Sequence, residues 1–152
     1  MRAHAARWNS WRAVMKRMAW AFIVGIALAA GSAPARADDA SDARAVISGQ
    51  LDAFKAQDGA QAYGFAAPNI RQMFSSPEIF MTMVERGYPP VYRSSNATFG
   101  PLKPEGAGLR QEVFLSDQNG QSWIATYTLQ RQPDGSLKIT GCQVRKGDDV
   151  GA

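Results

Sequence analysis

Apolar residues recur at helical spacing from about residue 43 to residue 86, and at every second position in the last third. Val46, Ile47, Leu51 and Phe54 fall at i, i+1, i+5 and i+8 and form one stripe of a helix. Arg44, Ser48, Asp52 and Lys55 take the other side. Asp39 or Ser41 is the expected cap of this helix, and Asp58-Gly59 its expected stop, with the glycine in the left-handed position. Gly49, inside the helix, reads as a site of close packing. Ala60 to Ala67 is weakly helical, Pro68-Asn69 breaks it, and Ile70 to Phe74 fits one more turn. Ser76-Pro77-Glu78 is a helix start, with serine as cap, proline in the first turn and an acid near the positive end. That helix presents Ile79, Phe80, Met83 and Val84 on one face and ends at Gly87. Tyr88-Pro89-Pro90 predicts an extended crossing into a sheet.

Four strands are predicted beyond the crossing: Val91 to Phe99, Leu109 to Ser116, Ser122 to Arg131 and Leu137 to Arg145. The second strand puts Leu109, Val113 and Leu115 on one face, and the third does the same with Trp123, Ala125, Tyr127 and Leu129. In the fourth, Leu137, Ile139 and Gly141 alternate with Lys138, Thr140 and Cys142. Asn119-Gly120 is a strong hairpin signal, and Pro133-Asp134-Gly135 a second tight turn. Residues 101–108, PLKPEGAG, read as a loop. Helices followed by a run of antiparallel strands give an α+β class, with N-terminal helices packed on a curved sheet of about four strands.

This order of elements resembles the cone-shaped nuclear-transport-factor-2-like (NTF2-like, SnoaL-like) fold. At closer range it is similar to domain-of-unknown-function family 4864, a group of small exported bacterial proteins. The resemblance rests on Ile47-x-x-Gln50-Leu51-x-x-Phe54, on Phe74-Ser75-Ser76-Pro77-Glu78-x-Phe80, on Tyr88-Pro89-Pro90-Val91-Tyr92 and on the terminal meander. It covers about residues 43 to 146. It implies no activity, because the family has none assigned and the wider superfamily holds isomerases, dehydratases and binding modules alike.

Charge changes meaning once the N-terminus is read as a targeting segment. Basic residues from Arg2 to Arg17, the apolar run Met18 to Ala30 and the small-x-small triplet Ala35-Arg36-Ala37 match a secretory signal cleaved after Ala37. The apolar run is shorter than the roughly 20 residues of a spanning helix. A signal of ordinary length already begins at Met15, so Met15 is the expected true start. The whole chain has 17 basic and 13 acidic residues, net +4. Arg2, Arg7, Arg12, Lys16, Arg17 and Arg36 precede Asp38 and no acid does, so residues 38–152 carry 11 basic against 13 acidic residues, net −2. The basic character belongs to the leader, and no clustered basic face points to nucleic acid. The expected organisation is a signal over 1–37, one domain over 38–146 and a flexible tail over 147–152. The expected location is periplasmic or secreted, with no membrane association after cleavage.

Several chemistries lack their residues. The only histidine, His4, lies in the leader, so no Ser-His-Asp or Cys-His arrangement is available to the domain. Cys142 is the single cysteine, which excludes an intramolecular disulfide and leaves no zinc-ligand set. It reads as a buried or half-buried filler. No Gly-rich phosphate loop follows a strand, and no cofactor or metal is expected. Asp52, Asp58 and Glu112 each have a local reading as helix solvation, turn chemistry or a surface pair. Aromatics are the better lead. Trp123 and Tyr127 share a strand face, Tyr88 and Tyr92 flank the crossing, and Arg93 adds a cation beside Tyr92. Clustered, they would line an apolar pocket with fixed hydroxyls; otherwise they are the core itself. The expected function is non-catalytic binding of a small apolar ligand or a protein partner, in the cone or on the sheet. A cofactor-free isomerase or lyase with a carboxylate–tyrosine pair is the second reading, and a dimerising scaffold the third.

Overall fold

A computed structural model of the protein describes residues 35–147, with side chains from residue 38. The signal, its cleavage point, the start at Met15 and all but the first residue of the tail lie outside what it describes in full. Five helices come first: α1 (Ala35–Lys55), α2 (Gly59–Gly64), α3 (Pro68–Met73), α4 (Pro77–Gly87) and α5 (Pro89–Tyr92). Four strands come next, β1 (Asn96–Glu105), β2 (Gly108–Ser116), β3 (Ser122–Arg131) and β4 (Leu137–Lys146). They form one antiparallel meander in the order β1-β2-β3-β4. The protein is therefore α+β, helices first and an open four-stranded sheet after them. None of the described helices is long and apolar enough to cross a membrane.

α1 buries the stripe its spacing dictates: Ala43, Ile47, Leu51 and Phe54 pack with the inner sheet residues Val113, Leu115, Ala125, Tyr127, Leu129, Leu137 and Ile139. Neither Asp39 nor Ser41 caps it, because the helix has already begun at Ala35. Asp39 and Asp42 instead reach Arg131 of β3, at 2.6 and 2.8 Å. The helix also ends differently from expectation. Gln57 takes the left-handed conformation (φ 55°) and the Asp58 amide returns to the Ala53 carbonyl at 2.9 Å. Asp58 is thereby freed to cap α2, accepting from the Gln61 amide at 3.0 Å. Ser76 caps α4 as its sequence requires, accepting from the Ile79 amide at 3.2 Å. Ile79 itself points outward, 51 % exposed, while Phe80 and Val84 carry the buried face. At Gly49 an added Cβ would sit 2.5 Å from the tip of the Phe65 ring, so the glycine does mark close packing.

The crossing is not extended. Pro89 and Pro90 open α5, a single turn in which the Tyr92 and Arg93 amides donate to the Tyr88 and Pro89 carbonyls. Prolines suit this place because the first amides of a helix have no internal partner to lose. β1 consequently begins at Asn96 and runs through the segment read as a loop. An edge strand tolerates its prolines, and a bulge between Phe99 and Leu102 absorbs Gly100-Pro101. The Gln111 side chain, fully buried, plugs that bulge by donating to the Gly100 carbonyl at 2.9 Å.

A second bulge has more consequence. Thr128 pairs with Gly141, but Leu129 pairs with Ile139, which leaves Thr140 as the extra residue of β4. One inserted residue reverses the alternation beyond it. Cys142 and Val144 therefore share the inner face with Leu137 and Ile139, opposite Tyr127 and Ala125, and Gly141 does not. The bulged segment is anchored sideways to the α2–α3 connection. The Ala67 amide donates to the Ile139 carbonyl at 2.8 Å, the Ile139 amide to the Phe65 carbonyl at 2.9 Å, and Asn69 Nδ2 to the Thr140 carbonyl at 2.9 Å.

Candidate functional site

Between the helices and the bulged end of β4 the packing leaves a cavity of about 210 Å³. α1 supplies Gln50 and Phe54, α3 supplies Ile70 and Met73, and α4 supplies Phe80, Met83 and Val84. Phe74, Tyr88 and Val91 close one side, and Tyr127 with residues 139–142 forms the floor. The space has a local cause. Gly141 and Cys142 are small, α3 is only six residues long, and the bulge turns the backbone away at Thr140. Phe80 is the centre of the aromatic wall, with ring centroids 6.2 Å from Phe54, 5.7 Å from Tyr63 and 6.3 Å from Phe74. Met73 stands at the mouth, 66 % exposed, where a flexible thioether adapts readily to an irregular ligand.

The wall is chemically quiet. It contains no charged side chain. Burial pushes the Cys142 thiol up to about 12, so it is protonated and a poor nucleophile at neutral pH. Burial also raises Tyr127 well above the usual phenol range, and the neighbouring Cys142 adds to the effect. The Tyr127 hydroxyl lies beside that thiol but has no aligned hydrogen-bond partner among the described residues. The Gln50 side chain is only 4 % exposed. Its Nε2 donates to the Ala62 carbonyl at 3.2 Å, which fixes the orientation of the amide.

The five residues singled out from the sequence do not converge. Tyr88 and Tyr127 both line the cavity. Tyr92 is core, its ring 5.9 Å from that of Phe54. Arg93 and Trp123 border a separate, shallower depression of about 410 Å³ beside the β2–β3 turn. There Arg93 pairs with Glu85 at 3.1 Å and lies over the Tyr92 ring. The Trp123 Nε1 donates to Asp117 Oδ2 at 3.0 Å. Asp117 also accepts from the Asn119 and Gln121 amides. These bonds, the one from Trp123 foremost, hold its carboxyl below the usual range. That arrangement shapes a turn. Met83 lies on the face its helical spacing predicts, whereas sequence reasoning gives Gln50 and Met73 no cavity role and Cys142 turns inward rather than outward. Gln50 does carry a signal, being a polar residue inside the apolar stripe of α1.

The family model for a domain of unknown function (DUF4864) matches residues 36–152, which is nearly all of the described chain. The chain belongs to the DUF4864 family. No curated protein and no solved structure matches it. In this DUF4864 domain, the described residues hold no group of three or more His, Cys, Asp or Glu side chains suited to a metal ion.

Proposed function

We propose that this protein is an exported, NTF2-like domain that binds a small, mostly apolar molecule between its helices and its sheet. The observation that carries the reading is the cavity, lined by Phe54, Ile70, Phe74, Phe80, Val84 and Val91 and free of charged side chains. Its volume of about 210 Å³ exceeds the ~150 Å³ that suffices to take up benzene in an apolar protein interior. Polar groups few in number and apolar walls are the usual make-up of a ligand site. The acid–tyrosine reading finds less support, since Tyr88 and Tyr127 reach the cavity without a carboxylate beside them. Export fits the signal-like leader, and the NTF2-like cone fits the order of helices and meander together with the motif resemblance.

Enlarging Cys142 tests this directly. Its side chain faces the open space, so Cys142→Leu should fold with unchanged or slightly raised stability and lose affinity for any apolar ligand. Were the region solidly packed, the added atoms would instead cost about 1–3 kcal/mol. Thermal melts together with NMR titrations of small aromatic probes separate the two results.

A further inference from the structure

Two polar groups on the cavity wall are left incomplete, and they differ in what they can reach. The Tyr127 oxygen is fully buried beside the Cys142 thiol, without access to the open space. Gln50 is different. It sits on the buried stripe of α1 between Ile47 and Phe54, and it lines the cavity. Its Nε2 is committed to the Ala62 carbonyl, and its Oε1 accepts no hydrogen bond from any described residue. Oε1 must be the acceptor, because only the amide nitrogen can serve a carbonyl. Oε1 is not among the fully buried unpartnered atoms, so it keeps access to the cavity, and a ligand that supplies the donor an apolar wall lacks gains a hydrogen bond there. A charged ligand would have to shed its hydration against walls with no counter-charge.

Resting on the binding reading above, we propose that the ligand is an uncharged, mostly apolar molecule carrying one hydroxyl, whose O–H donates to Gln50 Oε1. A phenol or a short alicyclic or branched alcohol meets these terms: it has an apolar body for the phenylalanine wall and a donor for the amide. Gln50 is then the residue that determines specificity, and Phe54, Phe80 and Val84 supply affinity without discrimination.

The test uses the protein recovered from its own host and exhaustively dialysed, with p-cresol and p-xylene as probes, titrated by NMR or calorimetry. The two match in shape and differ in a hydroxyl against a methyl. Gln50→Met keeps the length of the side chain and removes the acceptor. The expected result is a fall of about fivefold to tenfold in p-cresol affinity, the size of one lost hydrogen bond, with p-xylene affinity unchanged or improved. Wild-type protein supplies an independent comparison that needs no variant to fold: p-cresol should bind at least about fivefold more tightly than its methyl ether, which keeps the oxygen and lacks the donor. Equal binding of phenol and ether, or a cresol-to-xylene ratio that survives Gln50→Met, overturns the proposal and leaves the cavity as a ligand site. If none of the three probes binds wild-type protein, the binding reading itself fails, and this inference with it.

Discussion

Tyr127 is 1 % exposed, and no described residue completes its hydroxyl. A buried donor without a partner lowers stability by about 1–3 kcal/mol relative to an apolar group of the same shape. Tyr127→Phe should therefore raise stability by about 1–3 kcal/mol, read from chemical denaturation. A loss of more than about 1 kcal/mol would mean that the hydroxyl is partnered in solution. Asp117 makes the opposite case, a carboxylate well supplied with donors. Its folded pKa lies below the unfolded value, so its contribution is fully present above about pH 4 and fades as pH falls through the folded pKa. The Trp123 indole N–H resonance should accordingly move only on the acid side of about pH 4, and Asp117→Asn should abolish that movement. A Trp123 shift near neutrality would contradict the assignment. Residue types are a fair guide at this scale where one side chain acts locally, as with Ser76 capping α4. They are a poor guide where neighbours decide, as with Trp123, whose partner Asp117 turns it toward the β2–β3 turn and away from the cavity.

Regular elements are legible in the sequence, and interruptions are not. β3 runs Ser122–Arg131 as its alternation predicts, because no bulge or proline disturbs it. β1 is hard to place because Pro101 and Pro104 imitate a loop, although at a sheet edge a missing amide costs little. The crossing misleads for a related reason, since a proline pair is compatible with both an extended segment and a first helical turn. In β4 the face of Cys142 depends on one extra residue, Thr140, that alternation alone cannot reveal. The bulge in β1 has its own keystone. Gln111 donates to the carbonyls of Gly100, Pro101 and Glu112. Gln111→Leu should cost about 1–3 kcal/mol by leaving buried carbonyls without donors. It should also speed amide hydrogen exchange along β1 while leaving β3 protected. Uniform protection across the sheet in that variant would show that the bulge holds without its plug.

At the scale of the whole molecule, the helices and the sheet meet over a shared core that opens into a cavity at the bulged end of β4. There the small residues Gly141 and Cys142, the short α3 and the flexible Met73 leave an uncharged space. The α+β class and the DUF4864 membership are both legible, because they rest on the order of elements and on motifs that survive local errors. The cavity is only partly so: residue type points to Tyr88 and Tyr127, but Gln50 and Cys142 enter it through helix phase and a register shift. A space of this kind is not required by folding, since filling it would add favourable contacts. The proposed binding function would give it a use. The most direct measurement is native mass spectrometry of the protein recovered from its own host, compared with Cys142→Leu prepared in the same way. A ligand site in the cavity should give a small bound mass on the wild-type chain and none on the variant. Bare chains in both preparations, or the same bound mass on both, would contradict the cavity as the binding site.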